Sequence, residues 1–326
     1  MVFNRLIAFI LLVLPVFNLS AQQNFTVVVH GGAGVMSKDK MNNVQQQQYL
    51  SKLNEALLLG EKMAKEGSTA TDIVVKVINV LEDSPLFNAG KGAVFTHNGK
   101  IELDASIMDG ESLNAGAVAG ARHIRNPITA AREVMQNSDH VLLSGKGASE
   151  FARQQGLKMV SNRYFRTPKR HKSLKELKKK ERTRNAGDNI GTVGCVVLDI
   201  YGNLCAGTST GGMTNKKFGR IGDSPLIGAG TYANNRTCAV SCTGHGEFFI
   251  RLAFARDVSA LMEYNNLNIV EACREELNKL DELRGSGGVI GVDNKGNIAM
   301  EFNTGGMFRG FVNAKGEKVI AIFKNE

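Results

Sequence analysis

The chain is expected to fold as an α+β protein in which two packed sheets are covered by helices. Two patterns predict this. Its elements run strand, helices, strands, helices and strands again, unlike the regular alternation of a parallel βαβ wind. Strand candidates are short apolar or β-branched runs between glycine- and asparagine-bearing turns, whereas helix candidates repeat apolar residues every three or four positions. With 326 residues, 43% of them hydrophobic, the chain can bury a large core in one or two domains. No internal repeat is visible.

The first 21 residues stand apart. Arg5 precedes an apolar run over 6–16, and Leu19-Ser20-Ala21 has the small-residue form of a cleavage site. This reads as a secretory signal removed after Ala21, with a periplasmic destination. No other stretch approaches the length of a spanning helix, so the mature form is expected to contain no membrane segment. Residues 25–29 form a strand ending in His30-Gly31-Gly32-Ala33-Gly34. Such a glycine cluster allows close backbone approach, although it lacks the lysine and spacing of a phosphate loop. Helices follow at 45–66 and 69–81, the second carrying Ile73, Val77 and Val80 on one face. The irregular loop over 81–92, LEDSPLFNAGKG, can turn carbonyls toward a hard monovalent cation or form a packed turn. Strands are expected at 93–96, 101–108, 115–120 and 140–144, with helices at 127–138 and 146–155.

The net charge of +9 suggests polyanion binding until it is located. Residues 163–184 hold eleven Lys/Arg against two Glu, and the remainder sums to zero. So concentrated a basic run, poor in apolar residues, is expected to be a flexible linker over 158–187. It predicts no specific nucleic-acid partner. The five cysteines, Cys195, Cys205, Cys238, Cys242 and Cys273, lack the spacing of a disulfide framework. Cys195 and Cys205 read as buried small hydrophobes. Cys238-x3-Cys242 has a zinc-like spacing but no second ligand pair.

The most informative stretch is 187–199, GDNIGTVGCVVLD. A polar approach reaches Gly191-Thr192, and a buried strand follows. Thr192 thus stands where a loop enters the core. A threonine hydroxyl needs an adjacent base to act as a nucleophile. Its own α-amine would serve if the Gly191–Thr192 bond were cut, because an α-amino pKa of about 7.7–8.0 lies near working pH. In isolation, G-T-V merely opens a strand. Beyond it, a hairpin over 193–208 leads to the hydroxyl- and glycine-rich 208–212. Arg220 offers a fork for a carboxylate and Asp223 an anion for an amine, so together they suit the two ends of an α-amino acid. A surface ion pair is the plainer reading. Thr210 and Thr243 can hydrogen-bond near a nucleophile, Gly244 can present its backbone, and His245-x-Glu247 has the form of a base pair or metal ligands. Strands at 237–243, 288–292, 297–301 and 319–323 and helices at 247–264 and 269–283 complete the pattern.

These motifs, GDNIGTVGCVVLD, TSTGGMTNKKFGRIGDSPLIGAGTYAN, SCTGHGE, HGGAG and LFNAGKGAVF, resemble the plant-type L-asparaginases, or isoaspartyl peptidases, which are N-terminal-nucleophile hydrolases. The likeness spans about 25–323. It implies a four-layer αββα sandwich, autocleavage into an α subunit (22–191) and a β subunit (192–326), and an (αβ)2 assembly. It implies Thr192 as nucleophile and Thr210 as its hydrogen-bonding partner. Arg220 and Asp223 would bind the substrate carboxylate and amine, the latter with the Gly244 carbonyl. Thr243 and Asn88 would form the oxyanion hole. The carbonyls of Leu81, Glu82, Ser84, Phe87, Ala89 and Lys91 would hold a structural sodium ion, and no catalytic cofactor is implied. The implied substrates are L-asparagine and β-aspartyl dipeptides. The chain departs from the family pattern at Cys195, where alanine is frequent, and in its basic segment, which the resemblance does not explain. Two rival readings remain: a glycosylasparaginase of the same fold, and a non-catalytic protein that tethers anions through the linker.

Overall fold

A computed structural model describes residues 24–34, 36–37, 41–181 and 191–324. The expected signal over 1–21 and the last linker residues, 182–187, lie outside them. The described chain is a mixed α/β structure with two sheets. The larger has eight strands: β1 (Thr26–Gly34), β2 (Leu103–Asp109), β3 (Ala115–Ala121), β4 (Leu142–Ser144), β5 (Val193–Leu198), β6 (Leu204–Thr210), β11 (Gly306–Asn313) and β12 (Lys318–Phe323), in the order β12-β11-β1-β5-β6-β2-β3-β4. Only β3 and β4 pair in parallel. The smaller sheet is antiparallel, with β7 (Thr231–Ala233), β8 (Cys238–Gly244), β9 (Gly287–Asp293) and β10 (Ile298–Phe302) in the order β10-β9-β8-β7.

Strand alternation explains how both faces of the large sheet become buried. Val27, Val29, Cys195, Val197 and Cys205 share one apolar cluster with α1 (Asn43–Lys65), α2 (Ala70–Glu82) and α3 (Pro127–Asn137). Their neighbours Val28, Val196, Leu198, Leu204 and Ala206 point the other way, into a second cluster with Ala239, Ile290 and Val292 of the small sheet. Successive strand side chains point to opposite faces, so these runs show no polar alternation. On the small sheet, Cys238, Val240 and Cys242 pack against α6 (Gly246–Leu252), α7 (Phe254–Asn265) and α8 (Ile269–Glu282). All five cysteines are free and buried.

The helix starts follow from capping. Asn42 and Gln45 form a capping box for α1, as Asn268 and Glu271 do for α8, while Thr69 accepts from Asp72 N ahead of α2. Such caps satisfy otherwise orphaned amides. The single helix expected over 247–264 is broken at Ala253, whose φ of 49° places it in the left-handed region.

The expected flexible linker is structured throughout its described part. After α4 (Gly145–Gln154), the chain forms a short 3-10 turn at Asn162–Phe165 and then α5 (Pro168–Glu181). Phe165 and Leu174 pack with Ala93, Phe95, Ile101 and Leu103, and Leu177 is also buried. Lysine and arginine stems extend from this anchored face. Arg170 Nε donates to Gly92 O at 2.8 Å, and Lys178 Nζ to His97 O at 2.6 Å. An apolar stripe thus docks the helix despite its charge. The same packing explains why 93–96 joins no sheet. Its Ala93 and Phe95 side chains pack with Leu174 of α5, and Thr96 N closes a turn on Lys100 O at 2.8 Å.

Candidate active site around Thr192

Two strands meet at Thr192. The β1–β5 ladder ends at His30 opposite Gly194, and β1 then bulges, shifting its register on β11 between His30 and Gly32. Gly32 has φ +110°, and a Cβ there would lie 2.9 Å from Gly191 Cα and 3.1 Å from Thr192 N. The glycine is needed twice: for its backbone angle and for its contact with the Gly191–Thr192 bond. A Cβ on Gly194 would collide with the His30 ring and Ser241 Oγ.

Thr192 is buried, and its hydroxyl donates to Thr210 Oγ1 at 3.2 Å. Thr210 Oγ1 donates to Gly191 O at 3.2 Å and accepts from Gly212 N at 3.0 Å. Its only hydrogen is therefore committed to the carbonyl, which leaves a lone pair for the Thr192 hydroxyl. Asn88 Nδ2 donates to the same Gly191 O at 2.6 Å and to Gly212 O at 2.8 Å. Its Oδ1 accepts from Val94 N at 2.9 Å, and its backbone O accepts from Gly211 N at 3.0 Å. The amide is consequently locked in orientation. The carbonyl preceding Thr192 receives two donors while the Thr192 hydroxyl faces an acceptor. This suits attack by the hydroxyl on the Gly191 carbonyl carbon, with developing negative charge on an oxygen already held by Asn88.

The predicted substrate-binding pair lies in the loop after β6, with a different immediate partner. Arg220 Nε and Nη2 make a bidentate pair with Glu247, both bonds at 2.8 Å. The same bonds hold the Glu247 carboxyl below its ordinary range. Asp223 is buried, and its Oδ2 has no hydrogen-bond partner. Burial, only partly opposed by its hydrogen bonds and Arg220, pushes its pKa up to about 7. Beneath them lies a buried ion pair, Lys216 Nζ to Asp104 Oδ2 at 3.5 Å. A Cβ on Gly212 would stand 3.1 Å from the same Nζ, so this cation abuts the Gly211-Gly212 turn.

Thr243 and Gly244 end β8. Thr243 Oγ1 accepts from Ala33 N at 3.3 Å, with no hydrogen bond to Thr192. Gly244 has φ +157° and packs on Ser286 and Gly287. Thr192, Thr210, Asn88 and Gly191 are therefore joined directly, Arg220 stands bonded to Glu247, and Thr243 is reached through the backbone of β1. The six loop carbonyls follow the end of α2. Among the described residues, those of Glu82, Ser84, Phe87 and Lys91 accept no backbone hydrogen bond from outside a helix. Cβ atoms on Gly90 and Gly92 would collide with the carbonyls of Glu82 and Phe87.

Sequence reasoning missed the Arg220–Glu247 pair, because Glu247 lies 27 residues downstream in a different element. It also missed Lys216–Asp104 and the contacts of the His30 ring with the Thr192 carbonyl and Ser241 Oγ. A signal for His30 was its position at the head of the glycine cluster.

The model of the asparaginase family designated Asparaginase_2 matches residues 23–322. The chain is 47% identical to an isoaspartyl peptidase of Escherichia coli K12, over 92% of this chain and 96% of that one. It is 44% identical to a putative isoaspartyl peptidase/L-asparaginase of Dictyostelium discoideum, over 88% and 92%. It is 41% identical to a plant-type L-asparaginase of Pyrococcus abyssi, over 88% and 95%.

Proposed function

The chain belongs to the asparaginase family and is a hydrolase, and from that premise we propose that it cuts itself before Thr192 and then uses Thr192 to hydrolyse β-aspartyl dipeptides and L-asparagine. The observation that carries this reading is the pair of donors on Gly191 O, from Asn88 at 2.6 Å and Thr210 at 3.2 Å, beside the Thr192 hydroxyl. In the first reaction the hydroxyl adds to the Gly191 carbonyl carbon, the C–N bond of the adduct breaks as the hydroxyl proton passes to the Thr192 nitrogen, and the peptide becomes an ester with a free Thr192 amine. Water then hydrolyses the ester, which releases the Gly191 carboxylate and restores the Thr192 hydroxyl. That amine, with a pKa near 8, then serves as base for the same hydroxyl.

In the second reaction Arg220 exchanges Glu247 for the substrate α-carboxylate, and Asp223 with the Gly244 carbonyl receives the α-amine. The hydroxyl adds to the side-chain amide carbon, and Asn88 with Thr243 receives the oxyanion. The leaving amine takes a proton from the Thr192 amine, and water releases L-aspartate from the acyl-enzyme. Preorganised donors of this kind typically contribute about 10²–10³ each in rate.

The finer architecture proposed is a four-layer αββα sandwich, supported by the two sheets sharing one apolar cluster and by helices on their opposite faces. The proposed assembly is (αβ)2, with 22–191 and 192–326 as its two chains. A leader over 1–21 with export to the periplasm completes the reading. Among the described residues no helix is long and apolar enough to cross a membrane. We also propose that the carbonyls of Leu81, Glu82, Ser84, Phe87, Ala89 and Lys91 hold a sodium ion. An all-oxygen donor set suits a hard cation, and the ion would brace the loop that carries Asn88.

The test is Thr192→Ala, assayed with β-Asp-Leu, L-asparagine and a glycosyl-asparagine. An uncut chain inactive on all three is expected, while the wild type turns over the first two. Activity surviving in the variant would refute the mechanism. A wild type that acts only on the glycosyl-asparagine would favour glycosylasparaginase.

A further inference from the structure

A file of buried hydroxyls runs behind the nucleophile. Ser106 on β2, Thr208 on β6, Thr231 on β7 and Ser241 on β8 are all fully buried, as is His30 on β1. Ser106 Oγ is 2.8 Å from Thr231 Oγ1, which is 2.6 Å from Thr208 Oγ1. Thr208 Oγ1 is 2.7 Å from Ser241 Oγ, which is 3.0 Å from His30 Nε2. His30 Nδ1 is 3.2 Å from the Thr192 carbonyl oxygen.

The hydrogens along this file have one consistent order. A carbonyl oxygen only accepts, so Nδ1 carries the ring hydrogen. Burial holds the ring pKa down to about 3, so the imidazole is neutral and Nε2 is an acceptor. Ser241 then donates to Nε2, Thr208 to Ser241 and Thr231 to Thr208. Thr208 has an alternative acceptor in Gly230 O at 3.2 Å and Thr231 one in Ser224 O at 3.4 Å, each longer than the bond along the file. Ser106, at the far end, shares its hydrogen between Thr231 and Ser224 O at 2.6 Å. All but the last of these hydrogens point toward Thr192.

The local strand pairing gives this order a purpose. The β1–β5 ladder stops at His30 and Gly194, and the bulge follows. The Thr192 carbonyl lies beyond the ladder and is held by the His30 ring. Gly194, which has no side chain, leaves the ring its space. Cutting the Gly191–Thr192 bond would make Thr192 a chain terminus, and termini are ordered only where something ties them down.

We propose that His30 is a positioning residue: its Nδ1–H, with the tautomer set by the hydroxyl file, holds the Thr192 carbonyl and so orients the hydroxyl and, after cleavage, the amine of Thr192. This rests on the reading of Thr192 as nucleophile.

Asparagine and glutamine separate the two ring nitrogens, since an Asn amide reaches the Nδ1 position and a Gln amide the Nε2 position. The experiment compares His30→Asn and His30→Gln with wild type on β-Asp-Leu. It is joined by a side-chain 15N–1H correlation spectrum of the wild type, which reads the tautomer without turnover. The expected spectrum shows Nδ1–H and a neutral ring across about pH 5–8. His30→Asn should keep kcat within about tenfold of wild type. His30→Gln should lose about 10² in kcat, as expected for a misplacement of about 1 Å, with KM within about threefold because Arg220 and Asp223 are untouched. A ring protonated at Nε2, equal kcat losses in the two variants, or no loss in His30→Gln would overturn the proposal. A wild type inactive on β-aspartyl dipeptides would refute the proposed function instead, and the spectrum would then decide the hydrogen order alone.

Discussion

Replacing Asn88 with alanine separates two consequences of one side chain. Its amide nitrogen donates to Gly191 O and Gly212 O, and its oxygen accepts from Val94 N. Val94 is buried, so truncation strands its N–H, at a cost of about 1–3 kcal/mol in stability. The loss to processing is larger. Removing an oxyanion donor typically costs about 10²–10³ in rate, or about 2.7–4 kcal/mol. Thr210 remains on Gly191 O at 3.2 Å, so some cleavage should persist. Intact mass followed over time from freshly purified precursor reads the rate. Denaturant melts of Asn88→Ala in a Thr192→Ala background, where neither protein is cut, read stability alone. Processing within about threefold of wild type in a folded Asn88→Ala protein would refute the assignment of Asn88 as the polarising donor.

Three further outcomes follow from burial and charge. Glu82 is buried, accepts from Ser209 and Ile128 N, and leaves Oε2 without a partner; burial pushes its pKa up to about 8. The folded state thus holds a proton that the unfolded state has lost, so this group's contribution to stability is full below about pH 4.3 and falls as pH rises to about 8. Glu82→Gln should therefore gain Tm over wild type at pH 8.5 relative to pH 5, and an offset independent of pH would contradict the protonated carboxyl. Asp223, raised to about 7, must be anionic to take the substrate amine and the Thr192 amine neutral to act as base, so log kcat/KM should fall more steeply than one proton per pH unit below about pH 7; a slope of one down to pH 5 would remove Asp223 from that role. Leu174→Ala should loosen α5 by about 2–5 kcal/mol locally, seen as faster tryptic cleavage within 168–181, and unchanged cleavage would mean that the apolar stripe does not hold the helix.

Much of this architecture was readable where a local rule and the tertiary structure agree. Thr192 was marked because a glycine-bearing approach meets a β-branched run, and the structure places it at the head of β5. Elements with mixed signals were not readable. β11 pairs with β1, second from one edge of the large sheet, yet Gly306, Arg309 and Gly310 disguise it. Arg309 is tolerated there because its guanidinium donates to Met307 O and Phe323 O. The basic segment was misjudged because its charge hides a sparse apolar stripe, and Phe165 and Leu174 find their partners far upstream, in Ala93, Phe95, Ile101 and Leu103. Ala253 breaks a helix whose sequence would continue it, since propensity yields to packing. Within the site, single residues were legible but pairings were not. Arg220 with Glu247, and His30 with Ser241, join elements that only the folded chain brings together.

The central claim is that Thr192 becomes an N-terminus. Intact mass with N-terminal sequencing of the purified wild-type protein tests it most directly. The account predicts two chains that stay associated, the second beginning at Thr192. A single uncut chain after prolonged incubation at neutral pH, from a protein whose melt shows it folded, would contradict it.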